Sequence, residues 1–225
     1  MSESVTIALS KGKLLPPTLA LFRQAGYSGY HVQGDDRRLI LEYPEHGHRV
    51  LIVRPSDVPV YVEYGAADLG IVGKDVLLEQ TPDVYEPVDL RLGVCKLVVA
   101  KPKGQMPIQR LSSKLRVATK YPNITERFFT QQGMPVELIK LYGSIELAPL
   151  VGLADRIVDL VETGETLKAN NLVEEEVIAW SSARLIVNRA SLKMKHATIT
   201  EVITRIKEQV TKGQFKKKTT KGGKR

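Results

Sequence analysis

The chain has 225 residues, of which 43% are hydrophobic and 26% charged, as in globular proteins with a buried core. This length allows one large domain or two smaller lobes. No apolar run reaches the roughly 20 residues of a membrane-spanning helix. The single cysteine, Cys95, excludes an internal disulfide and any multi-cysteine zinc site.

The net charge of +8 is concentrated in the last 15 residues. Residues 211–225 carry seven lysines and arginines and no acid, which leaves +8 − 7 = +1 for the rest. Such a tail is expected to be disordered. The tail could contact RNA or a partner protein weakly. The rest of the sequence shows no pattern of aromatic and basic residues typical of a nucleic-acid-binding surface, so nucleic-acid binding is not expected. The first residues do not resemble a signal peptide, which predicts a cytoplasmic protein.

Strand and helix patterns alternate along the chain. In chain order, the predicted elements are strand 5–9, helix 14–25, strands 39–42 and 49–53, helix 57–65, strand 68–72, helix 73–80, strands 93–100 and 115–119, helix 123–132, strand 136–140, an element at 145–151, strands 157–161 and 184–187, and helix 199–210. This alternation predicts an α/β protein with largely parallel sheets covered by helices. Ligands bind such sheets at the carboxyl ends of their strands.

The segment that follows the strand at 157–161 has the pattern of a phosphate-binding loop. Thr163, Gly164 and Thr166 turn the chain from this strand towards helix-compatible residues, which presents backbone N–H groups and two hydroxyls to an anion. Asp155 and Asp159 precede the loop, where carboxylates can accept hydrogen bonds from sugar hydroxyls. The competing interpretation is a surface turn in which Thr caps a helix and Gly supplies a positive φ. The loop by itself does not decide between them.

Basic residues accompany other predicted strand ends. Lys11 and Lys13 flank a glycine after the first strand, a pattern that suits an anion but is also common on surface loops. Arg54 ends an apolar strand, and Arg37 precedes another. Such arginines are more often surface charges, although guanidinium forks suit polyphosphates. The segment 70–75 is not a Walker A loop, because its glycine spacing is too short and an aspartate replaces the Mg²⁺-binding Ser or Thr.

Together these residues resemble the ATP phosphoribosyltransferase family, whose members catalyse the first step of histidine biosynthesis. The similarity extends from about residue 5 to residue 210. It is carried by Leu9-Ser-Lys-Gly-Lys, Arg54-Pro-Ser-Asp-Val-Pro-x-Tyr-Val-Glu-x-Gly, Ala67-Asp-Leu-Gly-Ile-Val-Gly-Lys-Asp-Val-Leu, Lys140-Leu-Tyr-Gly-Ser-Ile-Glu-Leu-Ala-Pro-Leu-Val-Gly-Leu-Ala-Asp and the segment 155–167. Many members have Arg where this sequence has Lys13, which replaces a planar contact to ATP with a point charge.

The resemblance implies an α/β fold of two lobes, similar to type II periplasmic binding proteins, with the ligand cleft between the lobes. Residues 1–92 and 182–210 would form the first lobe, residues 93–181 the second, and residues 211–225 a disordered basic tail. ATP and phosphoribosyl pyrophosphate (PRPP) would react with Mg²⁺ present. The chain resembles the short form of the family, and we expect a homodimer that assembles with a histidyl-tRNA synthetase-like regulatory subunit into a hetero-oligomer.

The resemblance also implies roles for individual residues. The pyrophosphate would be neutralised by Arg54, Arg37 and Lys11. PRPP would be bound by Glu146, Asp155, Asp159, Thr163, Gly164, Glu165 and Thr166. ATP would be bound by Lys13, Gly73, Lys74 and Asp75. Mg²⁺ would be held mainly through the substrate phosphates, without a protein metal site. The alternative from another class is a non-catalytic small-molecule-binding module, because the same fold serves solute receptors.

Overall fold

A computed structural model describes residues 4–30, 38–104 and 114–221. The chain divides into two compact units. Unit 1 comprises Met1–Leu77, Thr81–Gly93 and Ser182–Arg225, and unit 2 comprises Leu78–Gln80 and Val94–Ser181. Each unit is built around a sheet of its own, so the two are described separately.

The described part of the chain contains strands and helices in the alternating order expected of an α/β protein. They are β1 (Val5–Ser10), α1 (Leu15–Gln24), β2 (Ile40–Tyr43), β3 (His48–Val53), α2 (Val58–Glu63), β4 (Leu69–Gly73), α3 (Lys74–Gln80), β5 (Tyr85–Asp89), β6 (Cys95–Pro102), β7 (Leu115–Thr119), α4 (Pro122–Gln131), β8 (Val136–Lys140), α5 (Leu147–Leu150), β9 (Arg156–Val161), α6 (Glu165–Ala169), β10 (Leu172–Ser181), β11 (Ala183–Val187), α7 (Arg189–Met194) and α8 (His196–Lys221). The α/β class predicted from the sequence is confirmed.

Unit 1 contains a six-stranded sheet in the order β2-β3-β1-β4-β11-β5. The central strand β1 runs parallel to β3 and to β4. Its residues Ile7, Ala8 and Leu9 are fully buried, as expected for a strand that is covered on both faces. The carboxyl ends of these three parallel strands therefore lie at one edge of the sheet.

Unit 2 contains a five-stranded sheet in the order β10-β6-β9-β7-β8. Strand β7 runs parallel to β8 and β9, whereas β6 is antiparallel to β9 and β10. Side chains of β9 alternate between two cores: Ile157 and Val161 pack in a cluster with Ala148 of α5, and Val158 packs in a cluster with Phe129 of α4. Both faces of the sheet are thus covered.

Both sheets are mixed rather than largely parallel, and the strands that the sequence analysis missed are antiparallel edge strands. The first part of β5 is exposed, and β10 carries the acidic run 174–176. Trp180 on β10 is 65% exposed. An edge strand needs no continuous apolar run, so neither segment has the pattern of a buried strand.

Helix α8 packs on the unit 1 core through Ile199, Val202 and Ile206, and its backbone continues as far as Lys221. The sequence of residues 211–225 instead predicts disorder. The difference has a simple source, because Lys and Gln are good helix formers and extend a helix that is already nucleated by packing. Across the described residues, none of the helices has the length and apolar character that crossing a bilayer requires.

Candidate active site

Two cations lie side by side at the carboxyl edge of the unit 1 sheet. Ser10 pairs with Val53 across β1 and β3, and the backbone N–H of Lys11 donates to the carbonyl of Val53 at 2.9 Å. Lys11 is therefore adjacent to Arg54, the residue that follows Val53. Both side chains are exposed, so two positive charges face solvent at the same strand ends. Gly12, with φ of 93°, turns the chain from Lys11 to the exposed Lys13.

The third parallel strand of that edge, β4, ends in the predicted ATP-binding residues. Gly73 caps α3, and a Cβ built on it would lie 2.2 Å from Oδ1 of Asp75. A larger residue at this position would have to displace the buried Asp75 carboxylate. The ammonium of Lys74 donates to both carboxylate oxygens of Glu86, at 2.7 and 2.8 Å. Lys74 is therefore charge-compensated. Arg37, also predicted to act here, lies outside the described residues.

The predicted phosphate loop of unit 2 has a left-handed turn at its centre. Gly164 has a φ of 80° and caps helix α6, and a Cβ built on it would meet no atom closer than 3.7 Å. The glycine is thus required by the backbone conformation and not by crowding. Thr163, Glu165 and Thr166 are exposed around it. Within the turn, the Thr163 hydroxyl oxygen accepts the backbone N–H of Glu165 in a long contact of 3.5 Å.

Asp159 and Glu146 form a pair of carboxylates on one face of the unit 2 sheet. Asp159 shares the face of Ile157 and Val161, and Glu146 lies between Ile145 and Ala148 of the core on that face. The pKa of Asp159 is raised from 3.8 to about 6, mainly by burial and to a smaller extent by the Glu146 charge, against the opposing effects of the Leu160 backbone N–H and the Lys120 charge. A carboxylate that is costly to ionise, beside a second one, is typical of a functional site.

Asp155 does not join this group, which corrects the expectation that it adjoins the phosphate loop. It precedes β9, and the six residues of that strand, about 3.3 Å each, separate it from the loop. Its carboxylate accepts the backbone N–H of Arg116 at 3.0 Å and pairs with the Arg116 guanidinium at 3.5 Å. The Asp155 carboxylate is thus buried and bound to Arg116 at the amino edge of the sheet.

Lys120 is a residue of this edge that the sequence analysis does not name. It follows β7, which is parallel to β9 with Thr119 opposite Val158. Lys120 is therefore level with Asp159, and its positive charge lowers the pKa of that carboxyl. The strand pairing that brings the two together is not readable from the sequence.

Fold and site together define a class of protein. Two α/β units carry anion-compatible groups and carboxylates at the carboxyl ends of parallel strands, as in proteins built like type II periplasmic binding proteins. The solved structure of the periplasmic aliphatic sulphonate binding protein SsuA from Escherichia coli supports this fold, with a TM-score of 0.61, 14% identity and coverage of 97% of this chain and 76% of that chain. A likeness at this identity shows the fold alone.

Relatives define the family within that class. The family model described as HisG, ATP phosphoribosyltransferase, matches residues 54–208. The ATP phosphoribosyltransferase of Geobacter metallireducens is 56% identical over 212 residues, which is 93% of this chain and 100% of the relative. That of Syntrophotalea carbinolica is 57% identical over 207 residues, 90% of this chain and 94% of the relative. The ATP phosphoribosyl transferase (HisG:HisZ) complex from Thermotoga maritima contains a chain with a TM-score of 0.79 and 33% identity, covering 92% of this chain and 97% of that chain.

The chain belongs to the ATP phosphoribosyltransferase family. It is an enzyme, a pentosyltransferase.

Proposed function

We propose that this chain catalyses the ATP phosphoribosyltransferase reaction, the first step of histidine biosynthesis, with the strand-end groups described above as its substrate-binding residues. A bond forms between N1 of adenine and C1 of the ribose of PRPP, and the bond from C1 to the pyrophosphate oxygen breaks. The products are N1-(5-phosphoribosyl)-ATP and pyrophosphate. N1 of adenine is a weak neutral nucleophile, so the acceleration comes from alignment and from handling the charge of the leaving group.

Unit 2 binds the phosphoribosyl donor in this proposal. The turn at 163–166 binds the 5-phosphate through backbone N–H groups and the hydroxyls of Thr163 and Thr166, with Gly164 allowing the close approach. Glu165 contributes its N–H, because its carboxylate would repel the anion. The position of Asp159 beside Glu146, in surroundings that disfavour its charge, is the observation that carries the assignment. Ribose hydroxyls would donate to these carboxylates and satisfy them.

Unit 1 handles the phosphates of the reaction. Lys11 and Arg54, adjacent at the ends of β1 and β3, would neutralise the pyrophosphate as negative charge develops on it. Lys13 would bind the ATP phosphates by its charge. Gly73, Lys74 and Asp75 would line the ATP side mainly through the N-terminal turn of α3, because the Lys74 ammonium is engaged by Glu86.

Mg²⁺ enters this proposal with the substrates. Among the described residues there is no group of three or more His, Cys, Asp or Glu side chains that could hold a metal ion. Mg²⁺ characteristically binds through substrate phosphates and keeps several waters, and when bound it neutralises part of their charge. The place of action would be the cytoplasm, where ATP is available.

The proposal also includes a second subunit in the assembled enzyme. The Thermotoga maritima relative is a HisG:HisZ complex, which supports a hetero-oligomer for this chain as well. The histidyl-tRNA synthetase-like subunit implied by the sequence resemblance is the expected partner, and a homodimer of this chain is the expected core of the assembly. Co-expression followed by measurement of the mass of the complex tests both points.

The direct test is to incubate the purified chain with ATP, PRPP and Mg²⁺ and to follow phosphoribosyl-ATP and pyrophosphate by mass spectrometry and phosphate analysis. We expect both products in equal amounts. A non-catalytic binding module of the same fold would bind a ligand without forming either product, so complete absence of turnover in the assembled protein would overturn the proposal.

A further inference from the structure

The substrate-binding residues assigned above to unit 2 have an imbalance of charge. Glu146, Asp159 and Glu165 are acids, and the remaining members of the set are neutral. PRPP itself carries several negative charges. A set of three carboxylates around a phosphorylated sugar is unfavourable unless a cation of the same unit compensates for it.

Lys120 is placed to supply that cation. It is the first residue after β7, and β7 is the parallel neighbour of β9 with Thr119 opposite Val158. Adjacent strands lie about 4.8 Å apart, so the backbone of Lys120 is one strand away from that of Asp159. The side chain is exposed, and within the part of the chain that the structure describes it forms no ion pair within 4.0 Å.

The backbone at Lys120 is held in place by a buried hydroxyl. Thr119, which is fully buried, donates from Oγ1 to the carbonyl of Val158 at 2.8 Å. The same oxygen accepts the backbone N–H of Tyr121 at 2.9 Å. These two hydrogen bonds connect the residue before Lys120, the residue after it and the residue before Asp159. The turn that carries the lysine is therefore fixed relative to the carboxylate.

The other lysine at this edge is less well placed. Lys140 ends β8, which pairs with β7 and is therefore one strand further from β9. Its ammonium lies 5.6 Å from the ring centre of Tyr142, over the face of the ring. The charged side chains that act on the Asp159 carboxyl are Glu146 and Lys120, and Lys120 is the positive one.

We propose that Lys120 is a further substrate-binding residue of the enzyme, whose ammonium contacts the phosphoribosyl donor at the ribose end of the site and balances the Asp159–Glu146 pair. This inference rests on the proposed function, because it takes the same turn and carboxylates as the donor site. Asp159 accepts hydrogen bonds from the sugar, and Lys120 supplies the positive charge that a phosphorylated sugar requires.

Lys120→Met tests the proposal, with Lys114→Met as the matched control. Lys114 is an exposed lysine that precedes the same strand at its opposite end. We expect the KM and the calorimetric Kd for PRPP to rise on the order of 10–100-fold in Lys120→Met, as for the loss of a charged hydrogen bond. The KM for ATP should stay within about twofold, Lys120→Arg should recover most of the affinity, and Lys114→Met should behave like the parent.

The pH profile provides a readout that a purely structural role would not change. Removing the ammonium leaves the Glu146 charge unopposed, so the acid limb of PRPP binding should move to higher pH in Lys120→Met. Unchanged PRPP affinity in a folded Lys120→Met enzyme that still forms phosphoribosyl-ATP would overturn the role of Lys120 and leave the proposed function intact. A parent enzyme that forms no product would instead overturn the proposed function itself.

Discussion

The side chains at the ends of β1 and β3 in unit 1 and those on β9 in unit 2 have opposite charge, although all three strands belong to the parallel part of their sheets. In unit 1 the ends of β1 and β3 carry the exposed cations Lys11 and Arg54. In unit 2 the corresponding edge of β9 carries Asp159 beside Glu146, followed by a turn of backbone donors at Gly164. The carboxyl end of a parallel strand therefore provides a place where a ligand can bind. The residues at that end decide whether the ligand group is a polyphosphate or a sugar hydroxyl.

The largest expected effect is in unit 1. Arg54→Ala should lower kcat by on the order of 10²–10³-fold, because charge that develops on the leaving pyrophosphate loses its stabilisation. Arg49→Ala is the matched control, since Arg49 lies on β3 and forms an exposed ion pair with Glu42 at 2.9 Å. Steady-state kinetics at saturating substrates checks both variants. Equal kcat for Arg54→Ala and the parent would mean that Arg54 is only a surface charge.

The next effect concerns the turn of unit 2. Gly164→Val should weaken PRPP binding on the order of 100-fold, because a β-branched residue at a φ of 80° is strained and displaces the donors. Gly133→Val controls for strain, since Gly133 has a φ of 68° with nothing within 4 Å of a built Cβ. Calorimetric titration of the folded variants with PRPP distinguishes the loss of the phosphate site from a general effect of backbone strain. Equal loss of affinity in both would place the phosphate elsewhere.

A smaller effect is expected when Asp159 is replaced, because the replacement should increase stability and weaken PRPP binding. The folded-state pKa of about 6 exceeds the ordinary 3.8, so between these values the folded state binds more protons and stability falls as pH rises. Asp159→Asn should therefore raise the free energy of unfolding at pH 8 by up to roughly 2–3 kcal/mol, a gain that vanishes below about pH 4. PRPP affinity should fall roughly tenfold with the lost charge. Urea unfolding at several pH values and calorimetry measure the two effects.

Asp155→Asn, at the other end of β9, is the variant to compare with Asp159→Asn. It should lose roughly 1–3 kcal/mol of stability, because the Arg116 N–H and guanidinium lose their charged partner. PRPP affinity should not change. If Asp155→Asn weakened PRPP binding while Asp159→Asn did not, Asp155 would be the PRPP-binding residue and Asp159 would not.

The smallest effect is expected at the basic tail. Deleting residues 212–225 should leave kcat and both KM values within about twofold, because Ile199, Val202 and Ile206 anchor α8 to the core and chain termini generally contribute few native contacts. Steady-state kinetics of the truncated chain and of the full chain, measured at the same ionic strength, checks this expectation. A large fall in kcat would show that the tail contacts substrate or a partner.

Strands that carry apolar residues could be predicted from the sequence, including the edge strand β8 with its observed bounds, whereas the edge strands β5 and β10 and the cross-strand neighbours could not. Strand β7 was predicted with its observed bounds because burial requires an apolar run. Strand β10 was missed because its edge position tolerates three successive glutamates. Asp155 and Asp159 are four residues apart in sequence, but a strand rises about 3.3 Å per residue, so they lie at different levels. The ion pair of Lys74 and the position of Lys120 level with Asp159 depend on pairings between segments that are distant along the chain.

Trp180 has a spectroscopic consequence. It is the single tryptophan of the chain, lies on the edge strand β10 and is largely exposed. Its emission in the native protein should therefore resemble that of a solvated indole. Any molecule that covers this strand would remove water from the ring and shift the emission to shorter wavelength. The unmodified protein thus contains its own fluorescent reporter for occupancy of the β10 edge, without a dye and without a mutation.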